Sequence, residues 1–389
     1  MIPYGRQNIS EDDIQAVVDV LRSDYITQGP LVPAFEKAVS EFCGSSYGVA
    51  VNSATSALHI ACISLGVSER DLVWTSPITF VASSNCVLYC GAKVDFVDID
   101  PRTYNMSVEV LAIKLEKAEK EGKLPKVIIP VHLCGQSCDM EAIFKLSKKY
   151  GFKIIEDASH AIGGSYKGKP IGNCLYSDIT IFSFHPVKII TTGEGGMAMT
   201  NNLELAAKMQ RLRSHGITRD LAEMTQIPDG PWYYQQVELG YNYRMTDIQA
   251  ALGLSQMKRL KEFIIQRHDI ANLYTNLFKE LPVVTPWQNP DTYSSYHLYV
   301  VRIKNSKEIT HGQVFERLRT SGILVNLHYI PVYRHPFYQK IGYNIAEFPE
   351  AEKYYSEAIS LPIFSGLKDS EIASVVKHFT TPLHHQNIF

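Results

Sequence analysis

The chain has 389 residues, 45% of them hydrophobic, and its 38 Lys+Arg against 40 Asp+Glu leave a formal net charge of −2. Such length and apolar content suffice for a large buried core and argue against disorder, while the lack of a basic run argues against nucleic acid as a partner. The opening MIPYGRQNISEDDI has no charged-then-apolar signal pattern and no apolar run is long enough to span a membrane, so a soluble, cytoplasmic protein without a membrane partner is expected.

From residue 33 helical patterns alternate with short β-rich runs. PAFEKAVSEF, YGVAV, TSALHIACISLG, LVWTS, FVASSNCVLYCGA, KVDFVDI, VEVLAIKLEKAEKEG, KVIIPV, MEAIFKLSKKYG and FKIIE follow one another, and DITIFSF and GMAMT add two strands. This rhythm predicts an α/β fold with a mostly parallel sheet covered by helices. A helical pattern from about Thr246 to Leu281 then leads to strand YHLYVVRI, helix QVFERLRTSG, strand ILVNLHYI and helix EAEKYYSEAISL. We therefore expect a large domain over residues 1–250 and a smaller α+β domain over 251–389. The stretch from Arg219 to Tyr243, with PDGPWYY, reads as a loop.

Seven cysteines, an odd number scattered through apolar segments, read as reduced and mostly buried thiols. His132, Cys134 and Cys138 in VHLCGQSC lack a second ligand cluster at zinc-like spacing, so packing is the expected role and no metal is predicted.

Ligands of parallel α/β sheets gather at the carboxyl ends of the strands. After YGVAV, the turn NSATSALHI opens a helix whose free N–H groups, beside Thr55 and Ser56, suit a phosphate; plain N-capping by Ser53 or Thr55 is the competing reading. No GxxxxGK[ST] or GxGxxG is present. After FKIIE comes Asp157 in IIEDASHAIGG, a carboxylate that needs a cationic or hydrogen-bonding partner, or else a structural cap of the next turn. His160 close by is either part of a site or a core histidine. After ITIFSF come Ser183 and Lys188, and Lys188 in its apolar setting either snorkels to the surface or is a desolvated nucleophile. Phosphate cradle, carboxylate and lysine are together the three fixed points that hold pyridoxal phosphate: helix start on phosphate, Asp on the ring nitrogen, lysine in a Schiff base.

NSATSAL, SPITFVASSN, EDASHA, SFHPVK with TGEGG, and GYNYRMTDIQAALGLSQ occur in this order along the chain. In these motifs the sequence resembles the DegT/DnrJ/EryC1/StrS family of sugar aminotransferases, of type I (aspartate aminotransferase) fold. YITQGP, RSHGI, LGLSQ, NLHYIPVY and AEKYYSEAISLP further resemble its pseudaminic acid branch, which aminates C4 of a UDP-linked 4-keto-6-deoxy-N-acetylhexosamine. The resemblance implies pyridoxal 5'-phosphate as cofactor, L-glutamate as amino donor, Lys188 as the aldimine lysine, and Asp157 on the pyridine nitrogen. It implies His160 against the cofactor ring or its hydroxyl, Ser183 with Ala54 and Thr55 on the phosphate, and Phe80 near the cofactor, against an ordinary core phenylalanine. Asn242 is implied to reach the phosphate of a neighbouring subunit in a homodimer with shared sites. Tyr4, the stretch Asp24, Tyr25, Ile26 and Thr27, and His328 with Tyr329 are implied to line the nucleotide-sugar pocket, against surface-turn and domain-interface roles. Sugar dehydratases of the same fold carry histidine where this chain has Lys188, and a non-catalytic sensor would not need Asp157, Ser183 and Lys188 together.

Overall fold

The structure, a computed structural model, describes residues 1–304, 310–343 and 345–384. In chain order the strands used below are β1 (Ile2–Pro3), β2 (Tyr47–Val51), β3 (Leu72–Thr75), β4 (Lys93–Phe96), β5 (Val127–Ile129), β6 (Lys153–Asp157), β7 (Ile179–Ser183), β8 (Gly196–Thr200), β9 (Val283–Val284), β10 (Tyr299–Ile303), β11 (Ile323–Leu324) and β12 (Ala358–Leu361). Helices used below are α1 (Glu11–Leu21), α2 (Leu31–Cys43), α3 (Ala54–Ser64), α4 (Ala82–Tyr89), α5 (Val108–Glu121), α6 (Met140–Tyr150), α7 (Leu203–Leu212), α8 (Asp247–Met257) and α9 (Leu260–Leu277).

A seven-stranded sheet in the order β2-β8-β7-β6-β5-β3-β4 forms the centre. The pairs from β7 through β4 are parallel, and β8 runs antiparallel to both β2 and β7. Side chains alternate across the sheet, so each strand feeds two cores. Val49, Val51, Ile155, Ile181 and Ala198 join one core with residues of α3, α4 and α7. Ala50, Phe182, Met197 and Met199 point the other way into α2, α8 and α9, and Trp74, Ile128 and Ile154 pack on α5 and α6. This two-faced burial is why these strands read as continuous apolar runs.

A three-stranded antiparallel sheet, β9-β10-β12, carries a core of its own that includes Tyr274, Tyr299, Val301, Ile359 and Phe379. β1 pairs in parallel with β11, which ties the first residues of the chain to this C-terminal part. Four elements differ from expectation. The pattern from Thr246 to Leu281 breaks at Lys258 and Arg259 into α8 and α9. EAEKYYSEAISL is helical only as far as Glu357; Ala358–Leu361 is β12, because its residues pair with Tyr299–Arg302. Only Ile323–Leu324 of ILVNLHYI is strand. The helix α1, absent from the expected elements, starts at a capping box in which Ser10 accepts from Asp13 N and Asp13 accepts from Ser10 N.

Residues 24–30 are strapped to α8 by one buried carboxylate. Asp247, the first residue of α8, accepts from Gly29 N at 2.8 Å and from Leu31 N at 2.9 Å, and its own N–H donates to the Ile26 carbonyl at 3.1 Å. Removing it would leave two backbone donors unserved. Asp247→Ala is expected to cost about 2–3 kcal/mol in denaturant unfolding and to open the segment 24–30 to limited proteolysis; a variant as stable and as resistant as wild type would show that other contacts hold the strap.

Candidate active site

The carboxyl ends of β2, β6 and β7 open into one cavity of about 610 Å³. At the end of β2 the chain turns into α3, where Ser53 Oγ accepts from Ser56 N at 3.1 Å and is the N-cap. The N–H groups of Ala54 and Thr55, in the first turn, have no intrahelical acceptor, and both residues line the cavity. Gly196 of β8 presses on this helix start, since a Cβ there would lie 2.4 Å from Ala54 N. Ser183, the last residue of β7, is buried and lines the same wall. Ser53 thus takes the capping role, and Thr55 faces the cavity.

Asp157 ends β6 and is 5% exposed. Ser83 donates to its Oδ2 at 2.6 Å, while the hydroxyl and the N–H of Ser159 donate to Oδ1 at 2.6 and 3.1 Å. Behind Ser83 stands the Thr79 hydroxyl at 2.7 Å. Lys188 sits on the turn after β7, with its N–H on the His185 carbonyl at 2.9 Å. Its amine opens into the cavity, and burial lowers its pKa to about 8 against the smaller opposing pull of Asp157.

His160 is buried in the turn that follows Asp157. Its Nδ1 lies 3.3 Å from Cys134 N and its Nε2 lies 3.0 Å from the Tyr329 hydroxyl. Burial, with the nearby Lys188 charge, holds His160 and His297 well below the ordinary imidazole value and His328 at about 3, so all three are neutral. Phe80 lines the cavity 59% exposed, with its ring 6.1 Å from that of Tyr329, so it is not a core phenylalanine. Tyr4 packs its ring 4.8 Å from His328, and both belong to the lining.

The cavity thus gathers ten of the expected residues: Tyr4, Ala54, Thr55, Phe80, Asp157, His160, Ser183, Lys188, His328 and Tyr329. Asp24, Tyr25, Ile26, Thr27 and Asn242 are exposed and do not reach it within their own chain. Thr27 bridges Thr246, and Asn242 bridges Ser214. Sequence reasoning missed Ser159, His185, Glu194 and His297 in the wall, and Ser83 behind Asp157. Among the described residues no group of His, Cys, Asp and Glu is placed to hold a metal ion, and His132 instead pairs with Glu156 at 2.7 Å. No described helix is long and apolar enough to cross a membrane.

The donor set fits pyridoxal phosphate. Two unserved N–H groups and a serine hydroxyl suit its phosphate, a carboxylate suits its ring nitrogen, and an amine with a lowered pKa suits its aldehyde. Residues 7–380 match the model of the DegT/DnrJ/EryC1/StrS aminotransferase family. The chain belongs to this family. It is 38% identical over 374 residues, 95% of each chain, to the UDP-4-amino-4,6-dideoxy-N-acetyl-β-L-altrosamine transaminase of Campylobacter jejuni. Among solved structures it superposes on the PMP form of the putative sugar aminotransferase Spr1654 of Streptococcus pneumoniae with TM-score 0.90 at 32% identity, over 99% of this chain and 100% of that one. Helicobacter pylori PseC, an aminotransferase involved in the biosynthesis of pseudaminic acid, matches with TM-score 0.88 at 32% identity over 99% of both chains. The fold is that of the type I aminotransferases, the chain is a sugar aminotransferase, and its cofactor is pyridoxal 5'-phosphate.

Capture of the cofactor aldehyde needs a neutral amine. A lysine whose pKa is lowered to about 8 is mostly unprotonated above that pH, whereas an ordinary lysine is not until above about 10.4. Borohydride trapping of pyridoxal phosphate on the apoenzyme, followed by peptide mapping, is expected to label Lys188 with a rate that rises through about pH 8. Label on another lysine, or a rise only above pH 10, would refute this.

Proposed function

We propose that the enzyme moves an amino group from L-glutamate to C4 of a UDP-linked 4-keto-6-deoxy-N-acetylhexosamine, the amination of pseudaminic acid biosynthesis. The observation that carries this reading is the 38% identity to the Campylobacter transaminase along 95% of both chains, joined to a cavity that keeps a poised lysine opposite a carboxylate.

When bound, the cofactor supplies an aldehyde that carries the amino group between donor and acceptor, and a ring that takes up an electron pair. The N–H groups of Ala54 and Thr55 and the Ser183 hydroxyl bind its phosphate, and Asp157 holds the protonated ring nitrogen. Ser83 and Ser159 orient Asp157 by donating to its two oxygens. Phe80 stands as an exposed aromatic face in the same space. Lys188 Nζ moves the protons: as a free amine it accepts one from the α-carbon of the donor amino acid, and as an ammonium it returns one to C4 of the sugar. A pKa of about 8 suits both directions near neutral pH. Tyr4 and His328, whose rings lie 4.8 Å apart in the lining, belong in this reading to the sugar-nucleotide end.

The sugar is tested by a panel of 4-keto nucleotide sugars with glutamate. Turnover is expected to favour the UDP-linked 4-keto-6-deoxy-N-acetylhexosamine by at least tenfold in kcat/KM. A preference for UDP-4-keto-arabinose or a dTDP-hexose would replace the substrate and leave the aminotransferase intact.

The working unit in this reading is a homodimer in which Asn242 serves the partner's phosphate site. Support comes from the loop that carries it. Ile227, Trp232 and Leu239 are 90%, 72% and 75% exposed, an apolar surface that a second copy of the chain would cover. Mixing inactive Lys188→Ala with inactive Asn242→Ala subunits is expected to restore activity, because some mixed dimers hold one site free of both lesions. No recovery after demonstrated subunit exchange would mean that Asn242 acts within its own chain.

A further inference from the structure

The cavity wall contains one imidazole whose nitrogens meet nothing from the chain. His297 lines the cavity at 4% exposure. Its Nδ1 is enclosed and has no hydrogen-bond partner. Its Nε2 has no partner among the described residues either, yet it is not enclosed, so it opens on the cavity. The other two neutral histidines differ, since both nitrogens of His160 and of His328 meet polar atoms of the chain. A neutral imidazole carries one N–H. Shutting an N–H away without an acceptor is rarer and costlier than shutting away a lone pair, so Nδ1 is the bare nitrogen and Nε2 presents the hydrogen to the cavity.

A buried cation stands behind this residue. Arg267 of α9 is 2% exposed, and its Nη1 donates to the carbonyls of Tyr296, His297 and Ile363 at 3.1, 3.2 and 3.0 Å. Among the described residues no carboxylate pairs with it, and burial alone lowers its pKa to about 9. An uncompensated buried guanidinium is costly and favours an anion close by. The three carbonyls also fix the backbone that carries His297. The ring itself packs 4.3 Å from that of His160, in the turn that follows Asp157.

We infer that His297 binds the amino donor, its Nε2–H donating to the α-carboxylate. This rests on the proposed reaction and assigns a residue to its donor half. The site takes two substrates in turn, each with its reacting carbon at Lys188. The reacting carbon of the keto sugar bears no anionic group, whereas that of the amino acid bears a carboxylate, which only accepts hydrogen bonds. The wall offers that carboxylate no arginine, Lys188 moves the protons, and the start of α3 serves the cofactor phosphate. An unpartnered N–H with a buried cation behind it suits an anion. A neutral hydroxyl or carbonyl in its place would leave Arg267 as uncompensated as before.

The test separates the two half-reactions of the loaded enzyme and adds a binding measurement. 2-Methylglutamate keeps the α-carboxylate but has no α-hydrogen to lose, so it binds without turnover and calorimetry gives its Kd. His297→Phe keeps a ring packed on His160 and removes the N–H. It is expected to raise that Kd about tenfold, the loss of one hydrogen bond to a charged oxygen, and to lower kcat/KM for the half-reaction with L-glutamate by the same factor. The half-reaction with the UDP-linked 4-keto-6-deoxy-N-acetylhexosamine is expected to be unchanged, which also shows that the variant is folded. His297→Gln, whose amide N–H replaces the imidazole donor, is expected to recover most of the loss. Equal losses in both half-reactions, a loss confined to the sugar, an unmoved Kd, or no recovery in His297→Gln would overturn the assignment. Failure of the underlying reading is distinguishable, since wild-type enzyme would then neither bind 2-methylglutamate nor react with glutamate, and the inference would fall with it.

Discussion

The site depends on keeping one lysine amine out of water without fixing a proton on it. A buried lysine usually escapes to solvent, pairs with a carboxylate or loses its proton. Here Asp157 stands in the same cavity, yet both its oxygens are served by the hydroxyls of Ser83 and Ser159. The carboxylate therefore does not depend on Lys188 for a partner, and desolvation outweighs its pull on the amine. The neighbouring imidazoles meet the same constraint. Three protonated histidines around Lys188 would repel its ammonium, and burial with satisfied hydrogen bonds keeps His160 and His328 neutral.

Holding the amine there is a task for the strand order. Parallel neighbours β6 and β7 bring Asp157 and Ser183 to the same end of the sheet, and the turn after β7 carries Lys188. The antiparallel β8 then returns the chain at once beside β7: Phe184 N donates to the Gly195 carbonyl at 2.9 Å and Thr192 N to the Phe184 carbonyl at 3.0 Å. Lys188 thus sits in a loop pinned at both ends. A parallel β8 would need a long crossover and would leave that loop open. The same antiparallel entry brings Gly196 against the start of α3, where its missing Cβ lets strand and helix meet. One departure from a parallel sheet sets both the lysine loop and the phosphate end.

These relations explain what could be read from the sequence. Asp157, Ser183, Lys188 and the start of α3 follow directly after apolar strands, and the strand-end rule for α/β sheets needs only local patterns. Ser83 and Ser159 carry no such mark. Ser83 looks like any hydroxyl in a helix, and its contact with Asp157 spans 74 positions. His297 stands just ahead of a strand whose apolar run masks it, and it joins the site because its neighbours Leu298 and Val300 share a core with Ile129 and Ile155 of the large sheet. Ala358–Leu361 was misread as helix because YYSEAISL keeps a helical spacing until β10 offers edge hydrogen bonds.

The charges of the cavity bear on how the proposed substrate would be held. Its ionisable walls are Lys188, Asp157 and Glu194, three neutral histidines, His185 and tyrosines, with no arginine. A nucleotide diphosphate brings at least two negative charges, and the ring phosphate of the cofactor brings more. Lys188 is committed to the reacting carbon, and the α3 N-terminus to the cofactor phosphate, so among the described residues of a single chain this wall offers the diphosphate no free cation. Transferring an unpaired phosphate into a partly buried cleft is costly. On the proposed reading the missing charges come from the covering subunit, whose loop around Asn242 presents Arg244 two residues further on. An interface that covers exposed apolar residues and also supplies the cations absent from the cavity would make assembly a condition of substrate binding, and not only of stability.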